Sequence, residues 1–276
     1  MTIPSITLNS GQSIPQLGFG VFKVNPAQTE RIVTDALEVG YRHLDTARAY
    51  DNEEGVGAAI ENSGIDRDEL YITTKLWNSD QGSESVLDAF ELSLAKLKLD
   101  YVDLYLIHWP VPKRGLALES WAVLEQIYES GRAKSIGVSN FKPHHLQPLL
   151  DIATVVPAVN QIQLNPHVTR PAQRAYGETH GIVTESWSPL GGQGARILDE
   201  PVVAELAGRV GRTPGQVVLR WHVQQGLVVI PKSASPERMR DNLAVFDFTL
   251  DEAAMASLAT LSQGPDAGVD SNVEGH

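Results

Sequence analysis

Residues 70–108 read LYITTKLWNSDQGSESVLDAFELSLAKLKLDYVDLYLIH, and this stretch decides the fold. It opens with a short run of β-branched and aromatic residues at Leu70–Lys75 and then shows helical periodicity over Glu84–Lys98. A second strand-like run closes it at Val102–His108. A strand, a helix and a strand in this order form a βαβ unit with parallel strands. The stretch therefore predicts a parallel sheet covered by helices.

The same alternation continues on both sides of this stretch. Six further strands are predicted at Leu17–Phe22, Tyr41–Asp45, Ser135–Ser139, Ala158–Gln161, Ile182–Trp187 and Leu227–Pro231. Helices are predicted between them, for example at Pro26–Val39, Glu119–Ser130 and Pro214–Gln224. Proline at the first helical position is typical of helix N-termini. Eight strands that alternate with helices predict an α/β fold, the (β/α)8 TIM barrel.

A predicted β-hairpin precedes the first barrel strand. Ser5–Leu8 and Ser13–Pro15 flank a turn, and in a barrel this hairpin would lie at the bottom. Eight strands also suit an open doubly wound sheet, but that fold usually carries a Gly-rich dinucleotide turn after its first strand. The segment Gly18-Phe19-Gly20-Val21-Phe22 has no third glycine, so the barrel is favoured.

The composition excludes several classes of protein. The chain has 276 residues, no cysteine and a net charge of −12. The missing thiols exclude a disulfide scaffold and a thiolate zinc site, and the acidity opposes binding to nucleic acid. No apolar run reaches the ~18 residues of a membrane span, and Met1–Ser10 does not resemble a signal peptide. With no linker in the chain, we expect a single domain over 1–276 that acts as a cytoplasmic monomer.

Polar side chains mark the carboxyl ends of the predicted strands, where the loops of a barrel converge to form active sites. Seven of the eight strands end in ionisable, polar or aromatic residues, which a purely structural barrel does not need. They are Asp45, Lys75 with Trp77, His108 with Trp109, Ser139 with Asn140, Gln161, Trp187 with Ser188, and Lys232 with Ser233. Tyr50 follows Asp45 by five residues. This pattern predicts an active site at the carboxyl end of the barrel.

Lys75 differs from an ordinary rim lysine because it ends an apolar run and should point into the barrel mouth. A buried ammonium group needs a nearby anion, and Asp45 on the neighbouring strand is the expected partner. A phenol has a pKa of about 10, and a cation beside Tyr50 is expected to lower it. We expect Tyr50 to protonate a carbonyl oxygen while hydride reaches the carbon, with His108 hydrogen-bonded to the same oxygen.

Four motifs in order resemble those of the aldo-keto reductases, over nearly the whole chain. Residues 40–57, GYRHLDTARAYDNEEGVG, are similar to the family's signature. Lys75 and His108 fall where the family has its other two catalytic residues. Residues 135–141 and 230–238 resemble its two cofactor blocks. The resemblance implies a barrel that reduces carbonyl compounds with NADPH and has Asp45, Tyr50, Lys75 and His108 as its catalytic residues.

The resemblance also implies which residues contact the cofactor. Ser139, Asn140 and Gln161 would hold the nicotinamide carboxamide, and Trp187 would pack on the nicotinamide face, where the family more often has Tyr. The pyrophosphate loop, residues 188–194, would contribute Ser188, Leu190 and Gly191. The adenosine 2′-phosphate would be gripped by Lys232, Ser233, Arg238 and Asn242, a set of cations and polar groups that suits a phosphate dianion. Gly20 completes the cofactor set.

Within the family, the chain looks most like the bacterial 2,5-diketo-D-gluconate reductases. That similarity implies a substrate pocket lined by Phe22, Ala49, Trp77, His108 and Trp109. An aromatic pocket with few polar anchors suits small dicarbonyls or keto sugars. The tail, residues 264–276, is rich in Gly, Asp and Ser and is a possible lid over this pocket.

No metal site is predicted, because His144 and His145 are adjacent on a predicted helix and should diverge by about 100°.

The alternative function is a non-catalytic, NADPH-binding regulatory subunit, since some relatives of the family are potassium-channel β-subunits. The intact set of Asp45, Tyr50, Lys75 and His108 weighs against that alternative.

Overall fold

Eight parallel strands form the central sheet of the computed structural model, which describes residues 3–192 and 196–273. The strands are β3 (Phe19–Gly20), β4 (His43–Asp45), β5 (Tyr71–Leu76), β6 (Val102–Ile107), β7 (Ala133–Ser139), β8 (Val159–Gln163), β9 (Val183–Trp187) and β10 (Val228–Val229). They lie side by side in chain order, and each neighbouring pair is parallel. A parallel bridge from Leu17 to Val229 joins the two ends of the sheet. The predicted (β/α)8 fold is confirmed.

Strands β3 and β10, which stand at the two ends of the sheet and form the seam of the barrel, are shorter than predicted. Leu17–Phe22 was expected to be extended throughout, but only Phe19–Gly20 is a strand, and Leu227–Pro231 narrows to Val228–Val229. Pro231 has no N–H group and cannot continue the ladder of hydrogen bonds. The Gly20 N–H still donates to the Pro231 carbonyl at 3.2 Å.

Helices follow the strands and cover the outside of the barrel. The helices are α1 (Pro26–Val39), α2 (Glu53–Ser63), α3 (Val86–Leu97), α4 (Ala117–Glu129), α5 (Pro143–Leu150), α6 (Pro171–Thr179), α7 (Pro201–Val210), α8 (Pro214–Gln224), α9 (Pro236–Leu243) and α10 (Glu252–Ala259). Their apolar faces pack on the strands, where Phe90, Trp121 and Leu124 are buried. Burial of side chains of this size contributes about 1.5–3 kcal/mol each.

The predicted hairpin is present and lies at the bottom of the barrel. Strands β1 (Ser5–Thr7) and β2 (Ser13–Pro15) pair antiparallel. Ile14 is fully buried against residues inside the barrel, and the Ser10 hydroxyl lies 2.7 Å from the Ser135 hydroxyl near the amino end of β7. The hairpin therefore closes the end of the barrel opposite the strand carboxyl termini.

The described part of the tail, residues 264–273, folds back onto β8 and α5. The Val269 N–H donates to Gln163 Oε1 at 2.7 Å, and Arg170 Nη2 donates to the Val269 carbonyl at 2.7 Å. Gly268 has a φ of +79°, and a Cβ there would lie 2.5 Å from Gln163 Oε1, so the docking requires glycine. Residues 274–276 lie outside the described residues. No helix in the described ranges is long and apolar enough to cross a membrane.

The expected divergence of His144 and His145 is wrong. Their ring centroids lie 4.1 Å apart, and both Nε2 atoms contact Asn272 Oδ1, at 2.9 and 3.0 Å. His145 Nδ1 accepts a hydrogen bond from the Lys142 N–H at 3.2 Å, which turns its ring back over the start of α5 and towards His144. The pair contacts the tail.

Candidate active site

Four chemically active side chains meet at the carboxyl end of the barrel, as predicted. Asp45 ends β4, Lys75 lies near the end of β5, and His108 follows β6. Tyr50 ends a single turn of 3₁₀-helix after β4, and its neighbour Arg48 forms an ion pair with Asp80 that anchors this turn. These four residues are called the proton site below.

Lys75 and Asp45 form a buried ion pair. Lys75 Nζ donates to Asp45 Oδ1 at 2.7 Å and to the Thr46 carbonyl at 2.8 Å, and their side chains are 0% and 2% exposed. Burial acts to lower the pKa of Lys75, but Asp45 and Tyr50 oppose it, and the net pKa is raised. The ammonium group therefore stays charged, and it lies 3.5 Å from the Tyr50 hydroxyl.

The expected lowering of the Tyr50 pKa is wrong in its net direction. Burial raises the pKa of Tyr50, and the opposing effect of the Lys75 charge is smaller. The phenol is consequently neutral near pH 7 and retains the proton that an acid must donate. Lys75 favours the phenolate, as expected, but burial outweighs it.

His108 is a neutral imidazole next to this phenol. Burial, followed by the charge of Lys75, lowers the pKa of His108 well below its usual value. Its ring lies edge-on to Tyr50, with centroids 5.6 Å apart, and Nδ1 is buried without a hydrogen-bond partner among the described residues. A neutral imidazole can donate one N–H to an oxygen atom without adding charge.

Aromatic side chains surround Tyr50 and His108. The Phe22 ring lies 5.0 Å from the Tyr50 ring and is 51% exposed. Trp77 and Trp109 lie 5.2 and 6.3 Å from the His108 ring. Ala49 is exposed in the turn that carries Tyr50. Four of the five residues predicted to line the substrate pocket therefore form a rim around the proton site, and the fifth, His108, belongs to that site.

The residues predicted to hold the nicotinamide carboxamide are linked to the proton site. Asn140 has a φ of +65°, and its Nδ2 donates to the His108 carbonyl and to Ser139 Oγ, both at 3.0 Å. Trp187 Nε1 donates to Asn140 Oδ1 at 2.8 Å, which fixes the orientation of this amide. Gln161 Nε2 donates to Asp45 Oδ2 at 2.7 Å. These bonds connect the two amides to His108 and Asp45 of the proton site.

Three of the predicted 2′-phosphate residues, Lys232, Ser233 and Arg238, lie between the end of β10 and the first turn of α9, whereas Asn242 lies in the last turn of that helix. Lys232 and Arg238 are exposed, and no carboxylate within the described ranges forms an ion pair with either. Ser233 and Asn242 are buried. The positive end of α9 adds to this field. This donor set fits a phosphate dianion, and the group is called the phosphate site below.

Two backbone features suit a ligand that lies across the mouth. Gly20 is buried, and a Cβ there would lie 3.1 Å from the Ile230 carbonyl. Ser188 adopts a φ of +49° and Gly191 a φ of +90°, and the Gly191 N–H donates to the Ser188 carbonyl at 2.9 Å. Leu190 is partly buried against the core. Gln193 and Gly194, which end the predicted pyrophosphate loop, lie outside the described residues.

Glu185 is a site-adjacent acid that the strand-end pattern missed. It lies inside β9, is 0% exposed and accepts a hydrogen bond from Gln161 Nε2 at 3.0 Å. The sequence feature that could have revealed it is the alternation of side chains along a strand. Glu185 and Trp187 are two residues apart and therefore share one face of β9. A charged residue on the inward face of a barrel strand indicates a partner inside the barrel.

Comparisons with known proteins agree with this geometry. Residues 16–263 match the model of the Aldo/keto reductase family. The chain belongs to that family. The reductase is 50% identical over 270 residues to an aldo-keto reductase of Mycobacterium sp. (strain KMS), covering 98% of this chain and 97% of the relative. It is 48% identical over 267 residues to methylglyoxal reductase DkgA of Escherichia coli (strain K12), covering 96% of each.

Solved structures are similar over almost the whole reductase. The crystal structure of a Gox0644 mutant in complex with NADPH has a TM-score of 0.94 and 44% sequence identity, and covers 99% of each chain. An aldo-keto reductase of Bombyx mori in complex with NADP has a TM-score of 0.89 and 35% identity, with 95% of this chain and 94% of that chain covered. Family membership makes this protein an oxidoreductase that acts on carbonyl compounds.

Proposed function

We propose that the reductase uses NADPH to reduce small dicarbonyls or keto sugars, of the 2,5-diketo-D-gluconate kind, to alcohols with Tyr50 as the general acid. One observation carries the proposal. The Tyr50 hydroxyl lies 3.5 Å from the ammonium group of Lys75, which is fully buried and paired with Asp45. This arrangement stands at the base of an aromatic rim and next to a neutral His108.

NADPH supplies a hydride when it is bound. Lys232 and Arg238 would bind the 2′-phosphate, since both are exposed and form no ion pair with a described carboxylate. Ser139, Asn140 and Gln161 would hold the carboxamide, because all three lie within one hydrogen-bonded set at the mouth. The NADPH complex of the similar Gox0644 mutant supports this choice of cofactor.

The side chains of the proton site would divide the work of proton transfer. Tyr50 holds a proton on its phenol oxygen, because burial keeps the phenol neutral. As negative charge develops on the carbonyl oxygen, that proton moves from the Tyr50 oxygen to it. The Lys75 ammonium group then stabilises the phenolate, and Asp45 keeps the ammonium in place. His108 donates an N–H to the carbonyl oxygen and orients it.

The rim favours small substrates with two polar oxygens. Phe22, Trp77 and Trp109 present flat apolar surfaces, and Lys23 Nζ lies over the Phe22 ring, 5.3 Å from its centroid. An apolar pocket with a single pair of directional donors, Tyr50 and His108, tolerates a range of small carbonyl compounds. The 48% identity to a methylglyoxal reductase supports this substrate class.

A substrate panel tests the proposal. Oxidation of NADPH by the purified protein would be followed by its absorbance with methylglyoxal, 2,5-diketo-D-gluconate and aromatic aldehydes. We expect kcat/KM to be highest for a small dicarbonyl or the keto sugar. A higher kcat/KM for aromatic aldehydes would contradict the substrate class. Tight NADPH binding without oxidation by any compound would instead support the non-catalytic regulatory subunit.

A further inference from the structure

A second buried carboxyl lies beside the Asp45–Lys75 ion pair, inside the barrel. Glu185 is paired in register with Gln161 of β8 and with Val228 of β10. Its side chain is 0% exposed. The chemistry proposed above for Tyr50 needs only Asp45 as an anion, so the presence of a second acid requires an explanation.

Gln161 connects the two carboxyl groups. Its Nε2 donates to Asp45 Oδ2 at 2.7 Å and to Glu185 Oε2 at 3.0 Å. An amide nitrogen has two N–H groups, and both are used here. The carbonyl oxygen of the same amide is therefore the atom left to accept from a ligand. Glu185 is thus one of two anchors that set the orientation of Gln161.

The charges around Glu185 do not balance if it is ionised. The groups that face it are Asp45 and His43 of β4, Tyr50 of the turn that follows β4, Lys75 and Tyr71 of β5, and Gln161 of β8. Burial lowers the pKa of His43 to about 3, so this imidazole is neutral. Lys75 is then the sole cation in that set, and it contacts Asp45. Two carboxylates opposite one ammonium would leave an uncompensated buried charge, which costs several kcal/mol.

The remaining contacts of Glu185 suit a neutral acid. Oε1 has no hydrogen-bond partner within the described ranges, and it lies 3.7 Å from His43 Nε2, a nitrogen that also contacts Thr73 Oγ1 at 3.2 Å. A carboxylate with one oxygen unpartnered in the core would be costly, whereas a protonated oxygen directed at a neutral imidazole is less so.

We propose that Glu185 carries a proton at neutral pH and acts as a positioning residue for the reduction, which rests on the proposed role of Tyr50. The neutral carboxyl holds Gln161 against Asp45 and leaves Asp45 as the sole anion opposite Lys75. Burial, followed by the charge of Asp45, raises the pKa of Glu185 to about 8, in agreement with the geometry.

Loss of the proton from Glu185 would change the pKa of Tyr50. An ionised Glu185 adds a negative charge that raises the pKa of Tyr50. A phenol with a higher pKa is a weaker acid and protonates a carbonyl oxygen less readily. The rate of reduction should therefore decline as the pH rises through about 8.

Infrared spectroscopy of the protein without cofactor tests the protonation directly. The difference spectrum of wild type minus Glu185→Gln at pH 7 should contain the C=O band of a protonated carboxyl, and the band should disappear as the pH is raised through about 8. Glu53→Gln is the matched control. Glu53 is also buried, with Thr74 Oγ1 donating to it at 2.6 Å, and it has no contact with Gln161. Carboxylate bands alone in the Glu185 difference spectrum at pH 7 would overturn the proposal.

Kinetics of three variants test the positioning role. Glu185→Gln keeps a neutral acceptor for Gln161, so kcat and the Kd for NADPH should stay within about twofold of wild type at pH 7, and the decline above pH 8 should be absent. Glu185→Leu removes the acceptor and should lower kcat and weaken NADPH binding by roughly five- to tenfold. Glu53→Gln should keep the wild-type pH profile.

The outcomes separate the two proposals. A loss in Glu185→Gln as large as that in Glu185→Leu would show that an ionised Glu185 is required and would overturn the inference. Wild-type kinetics in both Glu185 variants would also overturn the positioning role. If the wild type bound NADPH but reduced no carbonyl compound, the proposed function would fail, while the infrared result would still decide the protonation of Glu185.

Discussion

The proton site and the phosphate site lie at the same end of the barrel but handle charge in opposite ways. In the proton site, Lys75 is 0% exposed and its ammonium group contacts Asp45, the Thr46 carbonyl and Tyr50. In the phosphate site, Lys232 and Arg238 are exposed and form no ion pair with a described carboxylate. The charge of Lys75 is compensated within the fold by Asp45, whereas the charge of Lys232 is available to a ligand.

The residues proposed for proton transfer therefore differ in their environment from those proposed for cofactor binding. A buried charge must be paired before any ligand arrives, because the desolvation penalty applies to the folded protein itself. The proton site is therefore part of the barrel's stability as well as its chemistry. Exposed cations carry no such penalty, so substitutions in the phosphate site should alter the proposed preference for NADPH over NADH with little effect on folding.

The largest effect is expected at the phenol. Tyr50→Phe removes the proposed proton donor but keeps the ring that packs on Phe22, so kcat should fall by about 10²–10⁴-fold while the Kd for NADPH stays within about twofold. Single-turnover kinetics and fluorescence titration measure the two quantities. Tyr101→Phe, at a tyrosine bonded to Asp68, is the control. Comparable turnover in Tyr50→Phe would remove Tyr50 from its proposed role.

The two lysines should differ in their contribution to stability. Lys75→Met leaves Asp45 buried without its cation and should lower the free energy of unfolding by about 3–5 kcal/mol. Lys232→Met removes an exposed charge and should change it by less than about 0.5 kcal/mol. Urea unfolding of both variants measures the difference. Equal values would contradict the view that only one of the two charges is structural.

The phosphate site should act on one nucleotide selectively. Arg238→Ala should raise the KM for NADPH by roughly ten- to a hundredfold, because the variant lacks the charged hydrogen bond proposed for the 2′-phosphate, and should leave the KM for NADH nearly unchanged. Arg240→Ala, an exposed arginine of the same helix, is the control. An equal rise for both nucleotides would show that Arg238 does not contact the 2′-phosphate.

The smallest effect is expected from acid and concerns two buried histidines, His43 of β4 and His222 of α8. Burial lowers the pKa of His43 to about 3 and that of His222 to about 4. Their folded pKa values are below the unfolded value of about 6.5, so their contribution to stability is complete above that pH and declines as the pH falls towards 4. Each of the two histidines should lower the free energy of unfolding by about 1 kcal/mol as the pH falls from 7 to 5.5. Urea unfolding across this range should show a shallower decline in His222→Gln, and an identical slope would contradict the assignment.

Local patterns accounted for most of the barrel and for the membership of the proton site. The β-branched run at Leu70–Lys75 and the periodicity of Pro26–Val39 follow from interactions within one element, which a sequence displays directly. Asp45 and Lys75 were expected to meet because consecutive strands of a barrel are neighbours. The lengths of β3 and β10 were not predictable, because each depends on the partner across the seam.

The sequence by itself determined the order of strands and helices, the residues at the strand ends and hence the type of chemistry. Only the tertiary structure decided the net direction of the Tyr50 pKa, the proximity of His144 to His145, the docking of the tail on Gln163 and the position of Glu185 beside Asp45. The physical reason is the distance along the chain over which each kind of interaction acts. Propensity and periodicity act over a few residues, whereas desolvation and charge balance depend on every group that the closed barrel brings within a few ångströms.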